Sequence, residues 1–339
     1  MSRLAPYAQI HSSPDGPGDD GPGDDRPTAA QIVRDQNLVG KLQGKVFFIT
    51  GCSSGIGVET AKAIHSTGAD VYITARDMKK GGNVAKDILS DNGPGKVDVI
   101  PMELDSFASI KAGAAKFLEK SNQLNVLINN AGVMASPEGQ TKDGFETQFG
   151  TNHLGHFLLF QLLKPTLLAS SAADFNSRVV VVSSVGHRGG QIHFGDFAMK
   201  KAGYTPWKAY GQSKLATLYF ATELDRRYGN QGLHSMSLHP GGIATPLQRH
   251  LDEETLKMND QPEVKAYMKS PEQGAATSVW AAVAQELEGK GGVYLEDCAI
   301  AEPQQDSGML SSGYAAEAFN EENERRLWEE SLQMVGMSE

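Results

Sequence analysis

Between Lys45 and about Ile300 the chain alternates two rhythms of apolar and polar residues. Short apolar runs at 46–50, 70–75, 97–104, 125–129, 178–184, 233–239 and 292–295 read as strands. Some, such as Val179 to Val182, show no polar alternation, which suits strands buried on both faces. Between them run longer segments with apolar residues at helical spacing, among them 56–66, 106–120, 144–168, 208–228 and 271–286. Alternating strand and helix implies βαβ units with right-handed crossovers. The pattern therefore predicts an α/β, doubly wound fold: a mostly parallel seven-stranded sheet flanked by helices, one for each strand run above.

Two segments break the rhythm. Residues 186–206 and 246–268 are long and irregular, as binding loops and lids are, and are expected to shape a substrate pocket. The C-terminal stretch turns helical and acidic around 317–334, where Phe319, Leu327, Trp328 and Leu332 are expected to dock it on the domain. Residues 1 to about 40 form another regime. The sequence GPGDD occurs at 16–20 and again at 21–25, with little to bury, which predicts a disordered acidic tail ahead of a single domain spanning 41–339. Residues 28–42 are more apolar and are expected to pack as a short helix.

Composition narrows the partners. Apolar residues make up 40% and charged residues 21%, ordinary values for a globular chain. A formal net charge of −10 argues against nucleic acid or an anionic membrane as the main partner. Cys52 and Cys298 are the only cysteines, too few for a disulfide framework, which fits a reducing compartment such as the cytoplasm. No apolar stretch follows a basic start as in a secretory signal, and no apolar run approaches the ~20 residues of a membrane span.

The first strand run ends in Thr50-Gly51-Cys52-Ser53-Ser54-Gly55-Ile56-Gly57, and a helix begins near Gly55. A glycine-rich turn between a buried strand and a helix N-terminus suits the pyrophosphate of a dinucleotide in a Rossmann-type domain. The helix end offers unpaired N–H groups and partial positive charge, and glycines let the backbone approach. Ser53 and Ser54 can add hydroxyl donors. The spacing is G-x-x-x-G-x-G, and a tight structural turn is the competing reading. The second strand run ends Ala75-Arg76-Asp77. An acidic residue there would hold the ribose 2′-OH of NAD, whereas the Arg76 guanidinium suits the 2′-phosphate of NADP(H). Asp77 could serve NAD instead, or cap the next helix.

Tyr210 and Lys214 stand one helical turn apart in Tyr210-Gly211-Gln212-Ser213-Lys214 and so share a face. A phenol with pKa near ~10 is only about one part in a thousand ionised at pH 7, and a nearby cation favours phenolate. Ser183 and Ser184 end a very apolar strand, where α/β sheets carry their sites. Asn129-Asn130-Ala131-Gly132 ends another in the same way. Asn152, beside Gly155, lowers helix propensity within 144–168 and could mark a local distortion that holds a water. Pro240-Gly241 follows the sixth strand run, and Ile243 and Thr245 could touch the nicotinamide end of a cofactor.

Taken in order, these motifs resemble the short-chain dehydrogenase/reductase family across roughly 45–300. They are TGxxxGIG at Thr50 to Gly57, Asp105, NNAG at Asn129 to Gly132, Asn152, Ser184, YxxxK at Tyr210 to Lys214, and Pro240-Gly241. Residues 152–159, 180–187 and 239–245 are similar to the retinol dehydrogenase and WW-domain-oxidoreductase branch, and the overall texture to fungal members found in specialised metabolism. The resemblance implies hydride transfer between NADP(H) and a small carbonyl or alcohol. Tyr210 would be acid/base, Ser184 would hold the substrate oxygen, and Lys214 would bind the ribose and lower the tyrosine pKa. Asn152 would hold a water, Asp105 would contact the adenine, and Asn129 or Asn130 the adenosine ribose. It also implies a homodimer through 144–168 and 208–228. The start of the chain is not expected to carry the membrane anchor of many retinol dehydrogenases.

Two further readings stay structural. His153 and His156 have the spacing of a metal pair on a helix, but no acidic or thiol ligands cluster beside them, and no metal is expected. Cys52 is expected to be a packed, inert thiol, while His187 and His193 belong to the first irregular loop. A cofactor-binding interaction or redox-sensing protein with little turnover is the alternative class. The complete set Asn152, Ser184, Tyr210 and Lys214 argues against it.

Overall fold

The computed structural model describes residues 4–8, 21–91, 93–305, 308 and 310–338. Eight strands among them form one sheet in the order β10-β9-β6-β5-β4-β1-β2-β3. These are β1 (Val46–Ile49), β2 (Asp70–Ala75), β3 (Val97–Pro101), β4 (Val126–Asn129), β5 (Ser177–Val182), β6 (Leu233–His239), β9 (Val293–Glu296) and β10 (Ala299–Ile300). A separate pair, β7 (Gly242–Ile243) and β8 (Met268–Lys269), is parallel and short. The seven expected strands are all present and pair in parallel. The expected count of seven is one short, because β10 folds back antiparallel on β9. Its two-residue turn is Asp297-Cys298, both at φ 52, a left-handed geometry usually announced by Asn-Gly. Neither the turn nor so short a strand leaves a mark in the hydrophobic pattern.

Burial explains the layers. All four residues of β1 and all six of β5 are buried, as a sheet covered on both faces requires. One face carries α1 (Ala29–Asp35), α2 (Ile56–Ser66) and α10 (Ala276–Val283), where Ile32, Val33, Ile64 and Trp280 join a single core. The other carries α4 (Phe107–Lys120), α5 (Gly155–Ser170) and α6 (Pro206–Tyr228), meeting the sheet through residues such as Phe48, Phe117, Phe157 and Leu218. Helix α3 (Met78–Leu89) links β2 to β3. The expected long helix at 144–168 is not uniform. Residues Phe149–Leu154 wind as a π-helix before α5 begins, so the distortion anticipated at Asn152 lies within it.

The tail expected over residues 1 to about 40 needs revision where it is described; the first GPGDD lies outside the described residues. The second is built into the domain. Arg26, 4% exposed, pairs with Asp24 at 2.7 Å and donates to the carbonyls of Ala266, Tyr267 and Met268. Gln273 donates to Asp24 and Arg26 from the other side. Near the start of the chain, the Leu4 carbonyl accepts from Ile300 N–H on β10. Polar pairing, invisible to a count of apolar residues, holds this segment. Thr28 then caps α1, the short helix expected there.

At the other end, α11 (Glu321–Met334) buries Leu327, Trp328 and Leu332. The Trp328 ring lies 5.0 Å from Phe157 and 6.0 Å from both Phe160 and Phe220. Phe319, expected to dock alongside them, stays 37% exposed and turns its ring to Tyr314 instead. The surface of α5 and α6 expected to meet a second copy is thus partly covered by the chain's own C-terminal helix. Among the described residues, no helix is long and apolar enough to cross a membrane. Replacing Trp328 with Ala is expected to cost about 3–5 kcal/mol of stability in urea unfolding. Phe319→Ala should cost less than about 1 kcal/mol in the same assay.

Candidate active site

The strand order reverses between β1 and β4, and the crevice beyond their carboxyl ends is where open α/β sheets bind ligands. Here the turn after β1 meets the turn after β4. Gly51 has φ +75°, and a Cβ on it would lie 2.7 Å from that of Ala131. A Cβ on Gly57 would lie 2.5 Å from Asn130 Nδ2. Thr50 fastens the two turns: its hydroxyl oxygen accepts from the N–H groups of Asn130 and Ala131, each at 3.0 Å. Helix α2 starts behind Gly55, at φ +69°, with no side chain capping its first turn. Its free amides, and the space left by missing Cβ atoms, make a cradle that fits a pyrophosphate.

A cavity of about 1150 Å³ opens from this cradle. Gly51, Ser53, Ser54, Gly55, Ile56 and Gly57 line one end, with Arg76 and Asp105 beyond them. Asn130, Ala131 and Gly132 form the next stretch of wall. Ser184, Tyr210 and Lys214 follow, then Pro240, Gly241, Ile243 and Thr245. Asn129 and Asn152, each 1% exposed, lie behind the wall. Cys52 is buried under the turn, its thiol pushed up by desolvation, as an inert packed residue would be. Asp77, the residue that left NAD open, caps α3: its carboxylate accepts from Lys79 and Lys80 N–H at 2.9 and 3.1 Å. Arg76 is exposed beside it.

The reactive end is built on α6 and on the end of β5. Thr205 caps α6 and Pro206 starts it, which sets Tyr210 and Lys214 one turn apart facing the cavity. Lys214 Nζ donates to the Val182 carbonyl at 2.9 Å and lies 5.7 Å from the Tyr210 ring centre. Gly186 lets that ring sit close, since a Cβ there would come within 2.8 Å of Tyr210 Cε1. Burial pushes the Tyr210 phenol up to about 12, against the pull of a hydrogen bond from Ser184. Burial also lowers the Lys214 ammonium to about 8. Desolvation sets the direction of both shifts, so burial draws Tyr210 toward its neutral acid form with a weakened ammonium beside it.

Asn152 braces backbone behind the cavity wall with its side chain. Its Oδ1 accepts from Val133 N–H at 2.8 Å, and its Nδ2 donates to the Val133 carbonyl and the Ser213 hydroxyl, both at 2.9 Å. Its main-chain carbonyl accepts from His156 Nδ1 at 2.9 Å. The other nitrogen of that ring meets the Thr50 hydroxyl at 2.9 Å. Thr50, His156 and Asn152 thus join the phosphate cradle to the Tyr210 end. His153 turns away to the Ser331 hydroxyl, so the two histidines do not converge.

The insertion expected to shape the pocket does so, through residues that sequence reasoning did not name one by one. Insertion 246–268 forms α7 (Glu253–Met258) and α8 (Pro262–Tyr267) and is closed by β8, bringing Leu247, Leu251, Met258, Val264 and Tyr267 to the cavity. Of the loop 186–206, only Gly186, Arg188 and Gly189 reach it, joined by Val185 just before and Trp207 just after. His187 is buried beneath them against Tyr294. The aromatic residues at the loop's edges were the only available signal.

Residues 45–256 match the short chain dehydrogenase family. The chain belongs to that family, whose members are oxidoreductases that bind a nicotinamide cofactor and act on small molecules. It is 49% identical to the short-chain dehydrogenase/reductase prx1 of Penicillium roqueforti over 334 residues, covering 98% of this chain and 96% of that one. It is 40% identical to retinol dehydrogenase 11 of Homo sapiens, over 88% of this chain and 87% of that one. Among solved structures it resembles the Pseudomonas aeruginosa RhlG/NADP active-site complex. That likeness has a TM-score of 0.61 and 26% identity, covering 76% of this chain and 96% of that one. Gly186→Ala should displace the Tyr210 ring and lower oxidoreductase turnover roughly 10–100-fold. Cofactor binding, read by nicotinamide fluorescence, should stay nearly unchanged.

Proposed function

We propose that this protein is an NADP(H)-dependent oxidoreductase that interconverts a carbonyl and a primary or secondary alcohol. The observation that carries this reading is the meeting of Tyr210, Ser184 and Lys214 on the wall of a cavity whose other end is a glycine-lined cradle. When bound, the nicotinamide supplies or takes the hydride. Ser184 hydrogen-bonds the reacting oxygen of the substrate. Tyr210, kept protonated by burial, gives its proton to that oxygen in reduction and takes one back in oxidation. Lys214, near its own titration point, returns a proton to the phenol and holds the cofactor ribose. Asn152 is a positioning residue here: it fixes Val133 and Ser213 on either side of this group.

The choice of NADP(H) rests on two adjacent residues. Asp77 caps α3 through Oδ1 and is not among the residues lining the cavity, whereas Arg76 beside it is exposed at the cavity rim. The NADP named for the Pseudomonas relative agrees. Asp105 is assigned to the adenine end, and Asn130 to the adenosine ribose. Asn130 Nδ2 also donates to the Thr50 and Gly51 carbonyls, while the Asn129 amide is buried behind the wall without a partner among the described residues. The two buried free cysteines suit a reducing cytoplasm.

Tyr210→Phe is expected to lower turnover roughly 10²–10⁴-fold while NADPH fluorescence titration stays within about twofold. The sign of the pH dependence follows from the proton's direction. Reduction needs the phenol protonated, so its rate falls as pH rises. Oxidation needs the base form, so its rate climbs. Initial rates in both directions across pH should show these opposite slopes. Arg76→Ala should raise the NADPH dissociation constant about 10–100-fold, the worth of a charge-assisted contact, and leave that of NADH alone. Equal affinities of the unaltered protein for the two cofactors would remove the case for NADP(H).

A further inference from the structure

The hydrogen-bond directions around His239 leave one proton facing the substrate end of the cavity. Val185, the residue after Ser184, donates its N–H to His239 Nδ1 at 3.4 Å. An accepting Nδ1 puts the proton of the neutral imidazole on Nε2. Desolvation, which lowers the His239 pKa to about 3, keeps the ring neutral. Nε2 lies 2.7 Å from the Tyr267 hydroxyl, so the imidazole donates and the phenol oxygen accepts. The phenol's own proton then has no acceptor among the described residues, and Tyr267 lines the cavity. Its ring is held against the backbone, since a Cβ on Gly242 would lie 3.0 Å from Tyr267 Cε1. Half-buried at the cavity wall, this hydroxyl is placed to donate to an acceptor on a bound ligand.

Leu247, Leu251, Met258 and Val264 bring apolar surface to this cavity, and Arg188 and His250 bring polar groups. Resting on the carbonyl–alcohol reading above, we propose that Tyr267 is a specificity-determining donor. The substrate it selects is a largely apolar carbonyl compound, or the matching alcohol, with a second acceptor oxygen near the reacting carbon. The link through Val185 to Ser184 sets the scale: the second oxygen stands on the same side of the cavity as the first. An ester or ketone carbonyl meets this requirement; a plain hydrocarbon ketone does not.

The test compares Tyr267→Phe with the unaltered full-length protein on two carbonyl compounds of similar length, ethyl benzoylacetate and hexanophenone, with NADPH. The first carries a second carbonyl oxygen and the second does not. The variant should lower kcat/KM for ethyl benzoylacetate roughly ten times more than for hexanophenone, the loss of one buried hydrogen bond. Equal losses on both, as general damage to the pocket would give, overturn the proposal, and so does no loss on either. Absence of NADPH oxidation by the unaltered protein with either compound counts against the carbonyl–alcohol reading. Calorimetric binding to the NADPH-loaded protein still decides the role of Tyr267 in that case. A selective weakening of ethyl benzoylacetate in the variant supports it, and identical affinities overturn it.

Discussion

The close approach of two backbone turns is the constraint on which the site depends. Gly51 and Ala131 come so near that neither turn can move without the other, and the Thr50 hydroxyl locks them by accepting two N–H groups. The same hydroxyl has its proton left for His156, whose opposite nitrogen holds the Asn152 carbonyl. One small side chain therefore joins the β1 turn, the β4 turn and the π-helix. A buried neutral ring suits this task because it can donate on one side and accept on the other, and desolvation keeps it uncharged.

Burial also sets the chemistry. The cavity wall that brings Tyr210 and Lys214 together strips both of water, which raises the phenol and lowers the ammonium. Both shifts favour the uncharged forms. The pair is thus drawn toward a proton held on oxygen with a more readily deprotonated ammonium beside it, a state suited to giving a proton. A surface Tyr and Lys with the same spacing would keep their ordinary values. The helical spacing alone carries little information; the enclosing sheet and loops give it meaning.

Much of this was legible in the residues, and the exceptions have physical reasons. Strand positions followed from apolar runs such as Val179 to Val182, since a strand buried on both faces must be apolar throughout. The glycine cradle and the Tyr210 helix were readable because their geometry is local, set by residues a few positions apart. The eighth strand was not, because a two-residue strand behind an Asp-Cys turn has no pattern to detect. Asn152 was found, but not its partners: Val133 and Ser213 come from other elements. Tyr267 escaped notice because its role depends on His239 and Val185, distant in sequence and joined only by folding.

The Arg26 clamp has a consequence for how the two ends of the molecule communicate. Its guanidinium grips the carbonyls of Ala266, Tyr267 and Met268, the backbone on which the pocket's aromatic wall is mounted. A proteolytic nick just ahead of Thr28 would free that latch while leaving the sheet and the phosphate cradle untouched. Residues 24–26 thereby brace the segment that carries Tyr267. Loosening that brace would act first on the pocket wall around Tyr267, away from the glycine cradle.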